Sequence, residues 1–216
     1  MKRAFTLIEL LIVVAIIGIL AAIAVPNFLH AQIRAKIARS LADMRSIGVA
    51  VECFRADHGV DLLDVWDDDD NAECEKYIAM GLGYTVPSGG SAGRTHWMVY
   101  SLITTPVAYI QTVPPDRMFP EIAGVFVPNP YIYVDQDGHR GGSINDHNIG
   151  ALQFTIAPTR GLLPLQNGEW AILGVGPDTI IEELANYQRR GVPYDPSNGL
   201  KSKGDLTVRS SGAASI

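Results

Sequence analysis

Residues 4 to 10 read Ala-Phe-Thr-Leu-Ile-Glu-Leu, "AFTLIEL", and open a run that stays apolar to Val25 except at Thr6 and Glu9. Twenty-one residues from Phe5 to Val25 at the helical rise span roughly 30 Å, the hydrocarbon thickness of one bilayer. Lys2 and Arg3 stand just ahead of the run, so the short leading end is expected to stay cytoplasmic and the chain beyond Val25 to be exported. An acid inside such a segment costs up to about 3 kcal/mol at mid-membrane and less toward its end, and it calls for a compensating positive charge.

Three kinds of segment fit the run: a permanent anchor, a secretory signal cut after Ala24, and a leader cut before the apolar residues. Glu9 separates them. An anchor or signal gains nothing from a buried carboxylate, whereas a cut between Ala4 and Phe5 creates a new α-amine four residues from Glu9. That amine lies about 6 Å along the helix axis from Glu9 of its own chain, in poor geometry for pairing, so the amine of an adjacent chain is the expected partner. Helices staggered by about one turn would satisfy the pair, and assembly would register itself.

Lys2-Arg3-Ala4 followed by Phe5-Thr6-Leu7-Ile8-Glu9 resembles the processing site of the type IV pilin and type II secretion pseudopilin superfamily, and the likeness continues to Pro26. The family usually has Gly where this chain has Ala4, a small residue as well. The resemblance implies a pilin-like α+β fold, with a long N-terminal helix packed against a C-terminal antiparallel sheet. It also implies processing at Ala4 and Phe5 by a prepilin peptidase, N-methylation of Phe5, storage in the inner membrane, and extraction by an assembly platform into a homopolymeric filament. The filament would lie at the cell surface, or in the periplasm for a pseudopilus. Phe5, Glu9, Gly18 and Pro26 are the residues it assigns to assembly, with no catalytic residue. Glu9 favours a repeating subunit over a tip subunit, which has less use for the charge; the more distant alternative is a membrane-anchored periplasmic binding or enzymatic domain that uses the same helix as a tether.

Pro26 lacks an N–H and crowds the turn before it, at roughly 3 kcal/mol in a helix interior. Gly18 weakens the same stretch by up to about 1 kcal/mol relative to Ala. Gly18 to Pro26 is therefore expected to kink, and to stretch when lipid is replaced by other helices. Beyond Pro26, Ile33, Ile37, Leu41, Met44, Ile47, Val51 and Phe54 recur at three- and four-residue steps, an amphipathic stripe that needs a globular partner. Arg34, Lys36, Arg39 and Arg45 occupy the rest of the helix surface, and Gly59 is the stop signal.

The expected organisation is a leader at 1–4, a long helix at 5–57 with 5–25 as its membrane or filament-core part, an acidic and Gly-rich connecting loop at 58–96, and a sheet head with loops and tail at 97–216. Within the head, Tyr131–Val134, Leu152–Ile156 and Trp170–Leu173 read as strands, and Leu102–Tyr109 as a short helix or turn. The tail from Lys201 to Ile216 reads as frayed or as a subunit contact.

Composition narrows the chemistry. A net charge of −6 lacks the Lys and Arg surplus that phosphate neutralisation needs, so nucleic acid is not an expected partner. Asp64, Asp67 to Asp70, Glu73 and Glu75 crowd around Trp66 without EF-hand spacing and read as an exposed loop. Cys53 and Cys74 are a candidate disulfide in an oxidising exterior, burial as free thiols being the alternative. Gly89-x-Ser91-x-Gly93 formally matches a nucleophile elbow, but Pro87 and the glycine run argue for a loop. His139 and His147 lie near Asp135, Asp137 and Asp146, where Asp137-Gly138 fits a turn more economically than a metal site.

Pro114-Pro115-Asp116, Asn129 to Tyr133 and Leu173 to Asp178 resemble the sheet region of the major pseudopilin. In that family an acidic loop after the last turn often holds calcium, which maps onto Asp178, with Asp195 and Asp205 as further oxygens. A simple turn at Asp178 is the competing reading. No other cofactor is expected.

Overall fold

A computed structural model describes residues 5–63, 71–82, 96–118, 130–135, 168–179, 194–195, 197 and 204–212. Helix α1, Leu7–His58, runs for 52 residues, about 78 Å at the usual rise. It starts at Thr6, whose extended backbone makes it the N-cap, and stops at Gly59, which takes a left-handed φ of 71° and donates its N–H to the Arg55 carbonyl at 2.8 Å. Only a residue without a Cβ adopts that cap without strain, so the expected stop at Gly59 coincides with the observed one. Pro26 sits inside the helix, which continues on both sides of it.

The second half of α1 supplies one wall of the core. Ile37, Met44, Ile47, Ala50, Val51 and Phe54 are buried along one face, with Ile33 and Leu41 packed against the cluster from its edge. Each such side chain fully withdrawn from water contributes about 1.5 to 3 kcal/mol.

Facing this stripe is a three-stranded antiparallel sheet in the order β1 (Ile132–Asp135), β2 (Trp170–Gly174), β3 (Leu206–Arg209). Ile132 registers with Leu173 and Asp135 with Trp170, while Ala171 registers with Arg209 and Gly174 with Leu206. All five residues of β2 are buried, as a strand between two others and under a helix must be. The long helix and antiparallel sheet make the fold α+β and pilin-like, as expected.

One contact seats the sheet on the helix, and two more hold the sheet region together. Trp170 lays its ring over Gly48 so closely that a Cβ there would lie 2.6 Å from a ring carbon, and its Nε1 donates to Glu52 at 2.7 Å. Only glycine permits that approach. Asp116, buried in the loop before β1, accepts N–H bonds from Met118 at 2.9 Å and Val175 at 2.7 Å, and so ties that loop to the end of β2. Arg209 of β3 pairs with Glu169 just before β2, both side chains being almost wholly buried, and Ser211 also donates to Glu169.

Two short helices, α3 (His96–Val99) and α4 (Ser101–Thr104), precede the sheet, and the Tyr100 hydroxyl between them donates to the Tyr131 carbonyl at 2.8 Å. After α4 the chain turns back, with the Tyr109 and Ile110 N–H groups donating to Ile103.

Two expectations are corrected. The stretch from Asn71 to Ala79, placed in a connecting loop, forms helix α2, and buried Tyr77 donates to the Asp61 carbonyl, anchoring it beneath the end of α1. The tail read as frayed holds β3. Leu206-Thr207-Val208-Arg209 is a β-rich run bounded by Gly204 and Gly212, and the Arg209–Glu169 pair lets a charged residue end a buried strand. Ala4, the acidic run 64–70, the 89–93 tract, His139, His147 and the strand expected at Leu152–Ile156 lie outside the described residues.

Candidate functional site

The first turn of α1 is built around Glu9. Thr6 accepts the Glu9 N–H on its hydroxyl at 3.3 Å, and the Glu9 carboxylate reaches back to accept from the Thr6 backbone N–H at 2.8 Å and from the Thr6 hydroxyl at 2.6 Å. This reciprocal pattern is a capping box, which satisfies N–H donors that the first turn would otherwise leave open.

The geometry revises one step of the sequence reading. Glu9 finds hydrogen-bond donors in its own chain, and its carboxylate sits at the positive end of the helix, so part of its cost in an apolar medium is offset locally. These donors are neutral. The full negative charge stays on the helix end and is matched by no cation among the described residues. Phe5, Thr6 and Glu9 all lie beyond the Ala4–Phe5 bond, so a cut there leaves the box intact and adds an amine at Phe5.

The sequence reading took Thr6 only as a polar interruption. Its signal was present, because Thr-x-x-Glu ahead of an apolar run is the capping-box spacing.

From Phe5 to Val25 the chain stands clear of the head, and its large apolar side chains are exposed all round, Phe5 at 72% and Leu7 at 76%. An 18-residue apolar window of α1 has no part buried within the chain, and by length and composition it can cross a membrane. A helix apolar on every face needs lipid or other helices around it. Gly18 lies in this segment with nothing within 4 Å of where a Cβ would stand, so an approaching neighbour meets bare backbone. Pro26 marks its outer end.

The remaining expected site residues do not gather. Asp178 lies half-exposed in the turn after β2, Asp195 accepts the Ser197 N–H at 2.7 Å in a local turn, and Asp205 is buried with its carboxylate 3.3 Å from the Gly176 N–H. Among the described residues no group of three metal-ligating side chains converges. Cys53 is exposed on α1 with a free thiol, and the Cys74 side chain lies outside the described residues.

Comparison with known proteins bears on the same segment. Residues 1–25 match the family described as the prokaryotic N-terminal methylation motif. The type IV major pilin protein PilA of Myxococcus xanthus is 54% identical over 53 residues, covering 24% of each chain. The type IV major fimbrial protein FimA of Dichelobacter nodosus is 40% identical over 75 residues, covering 30% of this chain and 48% of FimA. Type II secretion system core protein G of Pseudomonas aeruginosa is 39% identical over 57 residues, 26% of this chain and 40% of its own. The chain thus spans less than half the length of each of these relatives. No solved structure matches.

Proposed function

We propose that this chain, which carries the N-terminal segment of the type IV pilin and pseudopilin superfamily, is a repeating structural subunit that polymerises through helix α1 into a pilus-like filament. In this reading a prepilin peptidase cuts between Ala4 and Phe5, Phe5 is N-methylated, the inner membrane stores the protomer, and the head forms the filament's outer surface.

The observation that carries the proposal is a helix apolar on all sides with one carboxylate at its start and a packed head at its far end. Such a helix has two favourable surroundings, lipid and copies of itself. In the second, each Glu9 meets the Phe5 amine of a neighbour, which replaces a lone charge by a pair. The role is structural and not enzymatic, a reading supported by relatives named as pilins and fimbrial proteins.

A second reading, a major pseudopilin of a type II secretion system, is favoured by the similarity to core protein G. It differs in where the filament ends, in the periplasm instead of at the cell surface.

Mass spectrometry of the N-terminus of protein recovered from its native host tests the processing step. A mature chain beginning at N-methylated Phe5 is expected. A chain beginning at Val25, or an intact Met1, contradicts the proposal.

A further inference from the structure

Where the apolar part of α1 meets the head, the chain encloses a groove of about 550 Å3. Pro26 and Leu29 of the helix form one wall, Met118 and Pro177 of the head the other, and the exposed His30 and Lys36 also line it. The volume lies within the range of small-molecule sites.

The geometry points to a phospholipid site, in which the groove takes the glycerol and upper acyl portion of one anionic lipid from the outer leaflet while Lys36 and His30 hold its phosphate. Position is the first argument. The groove begins at Pro26, one residue past the bilayer-length run Phe5–Val25, and the exposed apolar surface of Phe28 and Leu29 leads into it from the lipid side. His30 lies about 8 Å along the axis beyond Val25, at headgroup depth. Lys36 lies about 16 Å beyond it, and a helical side chain leans toward the N-terminus, which carries its ammonium back toward the membrane.

Charge is the second argument. Among the described residues no acid lines the groove, and neither His30 nor Lys36 forms an ion pair. An apolar cleft opening on a membrane with a cation in its lining is complementary to an anionic lipid and has no particular fit for a neutral one. A second copy of the chain is the rival occupant, but among the described residues no acid lines the groove to pair with a neighbour's basic helix face.

The inference rests on the membrane-stored stage of the proposed function and not on polymerisation. The full chain is purified in mild detergent doped with equal amounts of phosphatidylglycerol and phosphatidylcholine, and retained lipid is read by native mass spectrometry. Phosphatidylglycerol is expected to exceed phosphatidylcholine about 5-fold, from roughly one cation's worth of attraction. Lys36→Gln, at an exposed position, should lose most of that excess, Leu29→Trp should lower retention of both lipids by filling the groove, and Arg45→Gln, a cation outside it, should change nothing. Equal retention of the two lipids, an equal effect of Arg45→Gln, or a lipid-free dimer insensitive to added lipid would each overturn the site. Flotation with vesicles separates the two readings. A chain that floats with neither lipid contradicts membrane storage itself, whereas one that floats with both but shows no preference contradicts the groove alone.

Discussion

Glu9 and Thr6 divide the labour at the start of the helix: hydrogen bonds hold the carboxylate in place, while its charge meets no cation among the described residues. Thr6→Val keeps the shape of the side chain and removes the hydroxyl, so it should weaken the first turn by about 1 kcal/mol, the usual worth of a cap. Amide exchange in the full chain in detergent should then quicken about 5-fold at Glu9 and Leu10, whose N–H groups bond to Thr6, and stay unchanged in the head. Exchange equal to wild type would mean that the capping box contributes nothing. Glu9 was legible in the sequence because an acid in a bilayer-length apolar run is costly wherever it sits. Thr6 was harder to read, since a threonine in such a run is cheap and only its three-residue spacing from Glu9 gives it a role.

Among the elements, β3 depends most on a single interaction. Its last residue, Arg209, is buried against Glu169, and removing one partner strands the other's charge. Arg209→Met should destabilise the head by about 3 kcal/mol or more, and the double variant Glu169→Leu/Arg209→Met should recover much of the loss. Urea unfolding of the full chain in detergent, followed by tryptophan fluorescence, measures both, and a single variant as stable as wild type would contradict the assignment. This strand escaped the sequence reading because a charged residue at the end of a four-residue run looks solvent-exposed until its partner, 40 positions away, is known. Helix α2 escaped for a related reason, as density of acid says loop locally while Tyr77 anchors it from below. The amphipathic stripe of α1 was fully legible, because a 3.6-residue period needs no long-range information.

For the molecule as a whole, a tyrosine-rich core joins the short helices to the sheet. Burial pushes the Tyr131 hydroxyl up to about 12, and Tyr100 is raised by burial and by its neighbour Tyr131. The unfolded chain ionises these groups near pH 10, and the folded one only at higher pH. Their contribution is therefore fully present below pH 10 and is lost as pH rises toward 12. The melting temperature in detergent should hold steady from neutral pH to about 10 and then fall, and a Tyr100→Phe variant should fall less steeply. A melting temperature that did not change up to pH 12 would contradict the burial of these rings.

Polymerisation belongs to the same level, and the most direct test of it is filament yield from cells expressing wild type, Glu9→Gln or Glu9→Ala, with membrane insertion of each protomer measured in parallel. Wild-type chains should pellet as filaments visible in the electron microscope, while both variants insert into the membrane as well as wild type and give few or none. Variants that insert and pellet at wild-type levels would contradict an ion pair between Glu9 and the neighbouring Phe5 amine as the force that registers the helices.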